Sequence, residues 1–190
     1  MEFKLMLFKG TDSIKFGMTS LEIQVLLNTA PILFKKTEFD IYETEEYNEI
    51  CHVFYERGQN NSLVCAAFEF FRPSQVFLEG IPLIGEKTHK AEDLFKTMFD
   101  DCISDSSGSS SKKYGISFYS SDKKVESVYV ARKGYCTEQE EYYKEAFDEK
   151  YSSGEDLKDP TVRKRLCPSC MDIIDAKEGT LCPKCNVLML

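Results

Sequence analysis

The chain has 190 residues, 42% hydrophobic and 13% aromatic, with 32 acidic against 24 basic side chains and a formal net charge of −8. That length holds one ordinary domain plus a small appendage, and that composition rules out global disorder. An acidic chain repels phosphate, so general nucleic-acid binding is disfavoured and the expected partner is a protein, a basic one.

No stretch approaches the about 20 apolar residues that cross a bilayer. Residues 1–10 lack the long apolar run of a secretory signal, so the expectation is a soluble cytoplasmic protein without a membrane partner. Charge is unevenly spread: residues 137–159 carry nine acids against three bases, whereas residues 160–190 carry five bases against three acids.

In chain order, residues 2–9 predict a strand entering the core through Phe3, Leu5 and Leu7. Thr19 followed by Glu22 forms a capping box, and the helix it starts covers 20–27. Leu21, Ile23, Val25, Leu26 and Leu27 leave that helix almost no polar face, so it is expected to be largely buried. Pro31 ends the segment, and 32–36 follow as a strand. Residues 38–48 are acidic and read as a partly ordered connection. Runs 50–55 and 62–71 then form a hairpin, the second run apolar on both faces and therefore central in its sheet.

Short strands over 75–78 and 81–84 lead to a helix over 88–100 capped by Thr88. Ala91, Leu94, Phe95, Met98 and Phe99 give that helix one apolar stripe. The serine-rich stretch 104–111 reads as a mobile low-complexity loop. Residues 114–119 and 125–131 form another hairpin. Thr137 and Glu140 repeat the capping-box pattern ahead of an acidic helix ending near 151. One more helical turn over 161–166 is expected after Asp159-Pro160. Helix followed by antiparallel strands thus occurs twice, although the two halves are not visibly alike in sequence.

The strongest local chemistry lies at the end of the chain. Cys167-Pro168-Ser169-Cys170 and Cys182-Pro183-Lys184-Cys185 are two CxxC pairs separated by eleven residues. Each tight turn brings two sulfurs within about 2.3 Å of one tetrahedral metal, so four thiolates can close a structural zinc shell. A strand over 171–174, a turn over 175–179 and a return at 180–181 would close the hairpin. Paired disulfides, a redox CxxC and iron in place of zinc are the alternatives. Residues 165–190 resemble the zinc-ribbon family, which implies zinc ligation by Cys167, Cys170, Cys182 and Cys185. Asn186 can take the left-handed position usual for glycine after a knuckle, whereas Met171 departs from that pattern.

A second resemblance spans residues 14–31. Ile14-Lys15-Phe16-Gly17-Met18-Thr19, with Glu22, Val25, Leu26, Leu27 and Pro31, is similar to small bacterial α+β domains. These are the group of the β-lactamase inhibitor protein and the outer-membrane assembly lipoprotein SmpA. The resemblance implies a Gly-Met-Thr-capped helix followed by antiparallel strands, and a binding role of the immunity-protein kind. No lipoprotein signal accompanies it.

An enzyme needs a nucleophile, a base or a cofactor loop, and no phosphate-binding, dinucleotide or zinc-protease motif occurs. His52 lies in a strand and His89 at a helix start, both structural or solvated in type. Four cysteines leave no open zinc position for a metal-bound water. Cys51 and Cys65 fall in apolar strands and read as inert buried thiols. Arg163-Lys164-Arg165 and Lys184 could meet phosphates, but residues 160–190 contain no aromatic for base stacking.

The expectation is therefore an α+β protein: an antiparallel sheet with helices packed on it, then an acidic helix and a zinc ribbon. Its parts are a body over 1–136, an acidic helical linker over 137–166 and the ribbon over 167–190. The expected role is non-enzymatic protein binding, immunity-like toward a basic toxin. The alternative is a ribbon adaptor acting on nucleic acid or transcription machinery.

Overall fold

The structure is a computed structural model that describes residues 1–151, 163–166 and 173–176. It divides into two compact units, residues 1–36 with 40–137, and residues 37–39 with 138–190.

The first half of the first unit runs β1 (Glu2–Met6), β2 (Gly10–Thr11), α1 (Ser20–Leu27), β3 (Ile32–Phe34), β4 (Thr44–Tyr47), β5 (Cys51–Arg57) and β6 (Leu63–Phe71). The second half repeats that order as β7 (Gln75–Leu78), β8 (Ile81–Pro82), α2 (Thr88–Met98), β9 (Ile103–Asp105), β10 (Gly108–Ser111), β11 (Ile116–Ser121) and β12 (Lys124–Ala131). Each half is a small hairpin, a helix and a four-stranded meander. The halves meet at equivalent strands, giving one sheet ordered β2-β1-β7-β8 and another ordered β3-β4-β5-β6-β12-β11-β10-β9. β1 and β7 pair in parallel, and every pairing in the larger sheet is antiparallel. The α+β architecture of the body is as the sequence indicates.

One face of the eight-stranded sheet carries the main core. Alternation along β5, β6, β11 and β12 sends Val53, Tyr55, Phe68, Phe70, Ile116, Phe118, Val128 and Val130 into it, with Phe3, Ile23, Ala91 and Phe95 packed against them. Period-two patterning on adjacent strands is what makes such a continuous apolar face. β6 lies between β5 and β12 and is mostly buried, as its two apolar faces require.

Several local expectations are corrected. β4 lies inside the acidic stretch 38–48, because Thr44, Glu45 and Tyr47 are buried there. Thr88 is the first helical residue of α2 and not its cap; Lys87 holds the cap position without a side-chain bond. The serine-rich stretch is not a loop but most of the β9–β10 hairpin. Asp105 Oδ1 accepts from the Ser107 amide at 2.7 Å, its hydroxyl at 2.6 Å and the Gly108 amide at 3.2 Å, which fixes the turn. Small side chains also let β10 lie close to β11: a Cβ on Gly108 would stand 1.9 Å from the Phe118 carbonyl oxygen.

The second unit takes over the helix α3 (Tyr135–Tyr151) after Thr137. α3 begins two residues before Thr137, so that threonine is helical and caps nothing. Phe147 is buried, its ring 6.4 Å edge-on from that of Phe39. Two short strands, β13 (Arg163–Leu166) and β14 (Ile173–Ala176), pair antiparallel with Leu166 opposite Ile173. Residues 163–166 are thus a strand and not a helical turn. Asp175 is in a strand and not a turn, and the partner of β14 lies upstream of Cys167, within the stretch read as linker. The expected return at 180–181 lies outside the described residues.

Candidate interaction surface

α1 is built as its sequence indicates. The Thr19 hydroxyl accepts from the Glu22 amide while the Glu22 carboxylate accepts from the Thr19 amide at 2.8 Å. Donation to that carboxylate by the Thr19 amide, and next by the Thr19 hydroxyl at 2.8 Å, holds the Glu22 carboxyl below its ordinary range. Asn28 closes the helix in the left-handed region at φ 51°, its amide donating to the Gln24 carbonyl. The helix is tied to the sheet at its start: the Gly17 amide donates to the Cys65 carbonyl at 2.8 Å, and the Cys65 amide to the Met18 carbonyl at 2.7 Å.

The second tie is a buried polar cluster that sequence reasoning missed. Glu45 on β4 is only 7% exposed and accepts from the hydroxyls of Ser20, Tyr47 and Tyr55, the Tyr47 bond at 2.6 Å. Gln24 donates to the Ser20 oxygen at 2.8 Å. Burial, followed by the adjacent Glu45 carboxylate, pushes both tyrosines well above their ordinary range, so they remain protonated donors. A carboxylate with three hydroxyl donors is a satisfied buried charge, which fits a structural anchor. The only sequence signal was Glu45 and Tyr47 at equal parity in an acidic run.

These ties bury one α1 side chain, Ile23. The expectation of a largely buried helix is therefore corrected: Leu21 is 69% exposed, Val25 71% and Leu26 47%. α1 is held through its N-terminal flank and Ile23, and nothing in the first unit forms a further layer over its outer side. Beyond the four-residue connection 28–31 lies β3, an edge of the eight-stranded sheet. Its Ile32 is 66% exposed and Leu33 53%. Leu33 is in register with Glu45, and so faces the side of the sheet to which Glu45 binds α1.

Acidic side chains are exposed on and beside the same elements. Glu22 on α1, Glu43 before β4 and Glu49 after it are exposed. Thr29 and Asn48 meet at 3.4 Å, which sets the β4–β5 turn beside the α1–β3 connection. The two nearby lysines have internal partners: Lys35 donates to the Asp40 carbonyl at 2.9 Å, and Lys36 pairs with Glu69.

The opposite face of the sheet carries His52. Its Nε2 lies 3.8 Å from Glu46 and its Nδ1 3.9 Å from Glu69, with the rings of Phe34 and Phe71 edge-on at 4.9 and 4.5 Å. Burial and then Lys36 lower its pKa against the pull of the two carboxylates, so the neutral ring is favoured. Nδ1 is buried without a hydrogen-bond partner among the described residues. Burial pushes the Cys51 thiol up to about 12 and raises that of Cys65, leaving both protonated.

Cys167, Cys170, Cys182 and Cys185 lie outside the described residues. Among the described residues no group of three or more His, Cys, Asp or Glu side chains is placed to hold a metal ion. No helix among them is long and apolar enough to cross a membrane. Comparison with known protein families, with curated proteins and with solved structures finds no match to this chain.

Proposed function

We propose that this chain is a non-enzymatic protein-binding module, directed at a basic partner and immunity-like in role. The observation that carries this is the contrast between its two equivalent helices. The outer side of α2 is charged, with Glu92–Lys96 at 3.8 Å and Lys90 paired at 3.6 Å with Glu86 just before the helix, while its apolar stripe is buried at Ala91 and Phe95 and half-buried at Leu94 and Met98. α1 stands at the same place in its own half and turns Leu21, Val25 and Leu26 outward. A contiguous exposed apolar strip rimmed by polar groups is typical of an interaction surface.

Structural zinc held by Cys167, Cys170, Cys182 and Cys185 belongs to the same proposal and rests on the cysteine spacing. Such a closed site would supply folding energy to residues 163–190 and no reaction. A cytoplasmic setting is the corresponding proposal for location, since Cys51, Cys65, Cys102 and Cys136 are not joined in disulfides among the described residues, which suits a reducing compartment.

The test is to co-express the chain with the product of the adjoining reading frame and look for a stable complex that relieves toxicity. Retention of nucleic acid or polymerase subunits alone would sink this reading in favour of the ribbon adaptor.

A further inference from the structure

Resting on the binding reading above, we propose that the partner engages α1 and the free edge of β3 with an extended segment. That segment adds one more strand to the eight-stranded sheet, with an apolar centre and basic residues at both ends. Three features lead there.

Among the described residues β3 is paired with β4 on one side only, through Ile32↔Glu46, Leu33↔Glu45 and Phe34↔Thr44. Its other side presents backbone groups of the kind that accept an added strand. Side chains of an added strand alternate between the two faces. Those on the α1 side meet Leu33 and the outward helix residues, and those on the other side meet Ile32. β3 is three residues long, so backbone bonds alone are few and apolar contact must carry most of the affinity.

Charge selects the partner. Glu43 adjoins the Phe34 end of β3, and Glu49 lies at the Ile32 end, where Asn48 meets Thr29. Both are exposed, as is Glu22 on the helix. Lys36 is neutralised by Glu69, whereas Lys35 donates to a neutral carbonyl and keeps its charge, so three exposed acids stand against one base and the rim stays net negative. A second copy of this chain would bring the same acids against themselves in a molecule of net charge −8, so self-pairing here is opposed.

The experiment uses the full chain, 15N-labelled, and two synthetic peptides. One has a Val-Thr-Val-Thr-Val centre with two lysines at each end; the other has glutamates in place of the lysines. The lysine peptide is expected to shift amides of residues 20–34 and 43–49, and the glutamate peptide to shift none. Leu21→Ser/Val25→Ser should weaken the lysine peptide about tenfold, which is the loss of about 1.4 kcal/mol of apolar contact. Glu43→Lys/Glu49→Lys should weaken it several-fold, and raising salt from about 0.05 to about 0.5 M should do the same to the unsubstituted chain. Urea midpoints matching the unsubstituted chain show that the variants fold, as expected for exposed positions.

Binding that shifts other residues and survives both double substitutions overturns this edge while leaving the binding reading in place. No binding of the lysine peptide up to about 1 mM overturns the added strand, and the binding reading then stands or falls on the co-expression test alone. Self-association abolished by Leu21→Ser/Val25→Ser would make a second copy the occupant, and the proposal of a basic partner would fall.

Discussion

Removing the Glu45 carboxylate separates anchoring from surface chemistry, because the same group fixes α1 and never reaches solvent. In Glu45→Ala the hydroxyls of Tyr47 and Tyr55, 0% and 6% exposed, lose their acceptor. A buried donor left unsatisfied costs about 1–3 kcal/mol, so two of them predict a loss of about 2–6 kcal/mol. Glu45→Gln keeps the shape and one acceptor oxygen but not the charge, and should cost about 1–2 kcal/mol. Replacing the whole set, in Glu45→Leu/Tyr47→Phe/Tyr55→Phe, should recover most of the loss, since apolar groups of similar shape leave nothing unpaired. Urea unfolding measures all three, and amide hydrogen exchange reports whether α1 loosens ahead of the sheet. The reasoning fails if Glu45→Ala costs under about 1 kcal/mol, or if Glu45→Ala and Tyr55→Phe add independently although their side chains touch.

Stability should fall at both ends of the pH range. Cys51, Tyr47 and Tyr55 have folded values raised above their ordinary 9 and 10. Their contribution is fully present below those values and is lost as pH rises past them, so the urea midpoint should drop above about pH 9. His52 is lowered, so its contribution holds above about pH 6.5 and is lost as pH falls. His52→Phe should flatten the acid limb, and an unchanged limb would remove His52 as its cause. Gly108→Ala places a methyl 1.9 Å from the Phe118 carbonyl and should cost about 3 kcal/mol, read by thermal unfolding; a neutral result would refute the close approach of β10 to β11. Elemental analysis should find about one zinc per chain, released by a thiol reagent. Finding no metal, or coloured iron, refutes the zinc assignment. Cys170→Ser should disorder the end of the chain while the first unit melts unchanged; a body that melts with it would refute the boundary at 136/137.

Much of this fold was legible because its signals are local. The Thr19–Glu22 box set the start of α1, Pro31 its limit, and the doubly apolar run in β6 its central position. The order of elements showed the two-fold repetition even though no residue pattern repeats. Short polar strands were not legible, because backbone pairing in them is decided by neighbours far along the chain. β10 is three serines and a glycine, and only the approach of β11 makes that composition suitable for a strand. β4 hid in an acidic run because Glu45 is buried by hydroxyl donors from α1, β4 itself and β5.

The proposed interaction surface was half legible, and the missing half is informative. An eight-residue helix with five aliphatic side chains was read as buried, which is the usual consequence of apolar character on every side. That inference assumes the chain itself supplies both covering layers. Here the sheet supplies one, to Ile23, and nothing in the first unit supplies the other. Local sequence and tertiary placement disagree at Leu21, Val25 and Leu26 and agree at Ala91 and Phe95 in the equivalent helix. Such disagreements concentrate where a protein keeps a surface for something other than its own folding. The conflict at α1 is thus a stronger pointer to function than any motif in the body, because a purely structural helix at that position has a worked counterpart in α2.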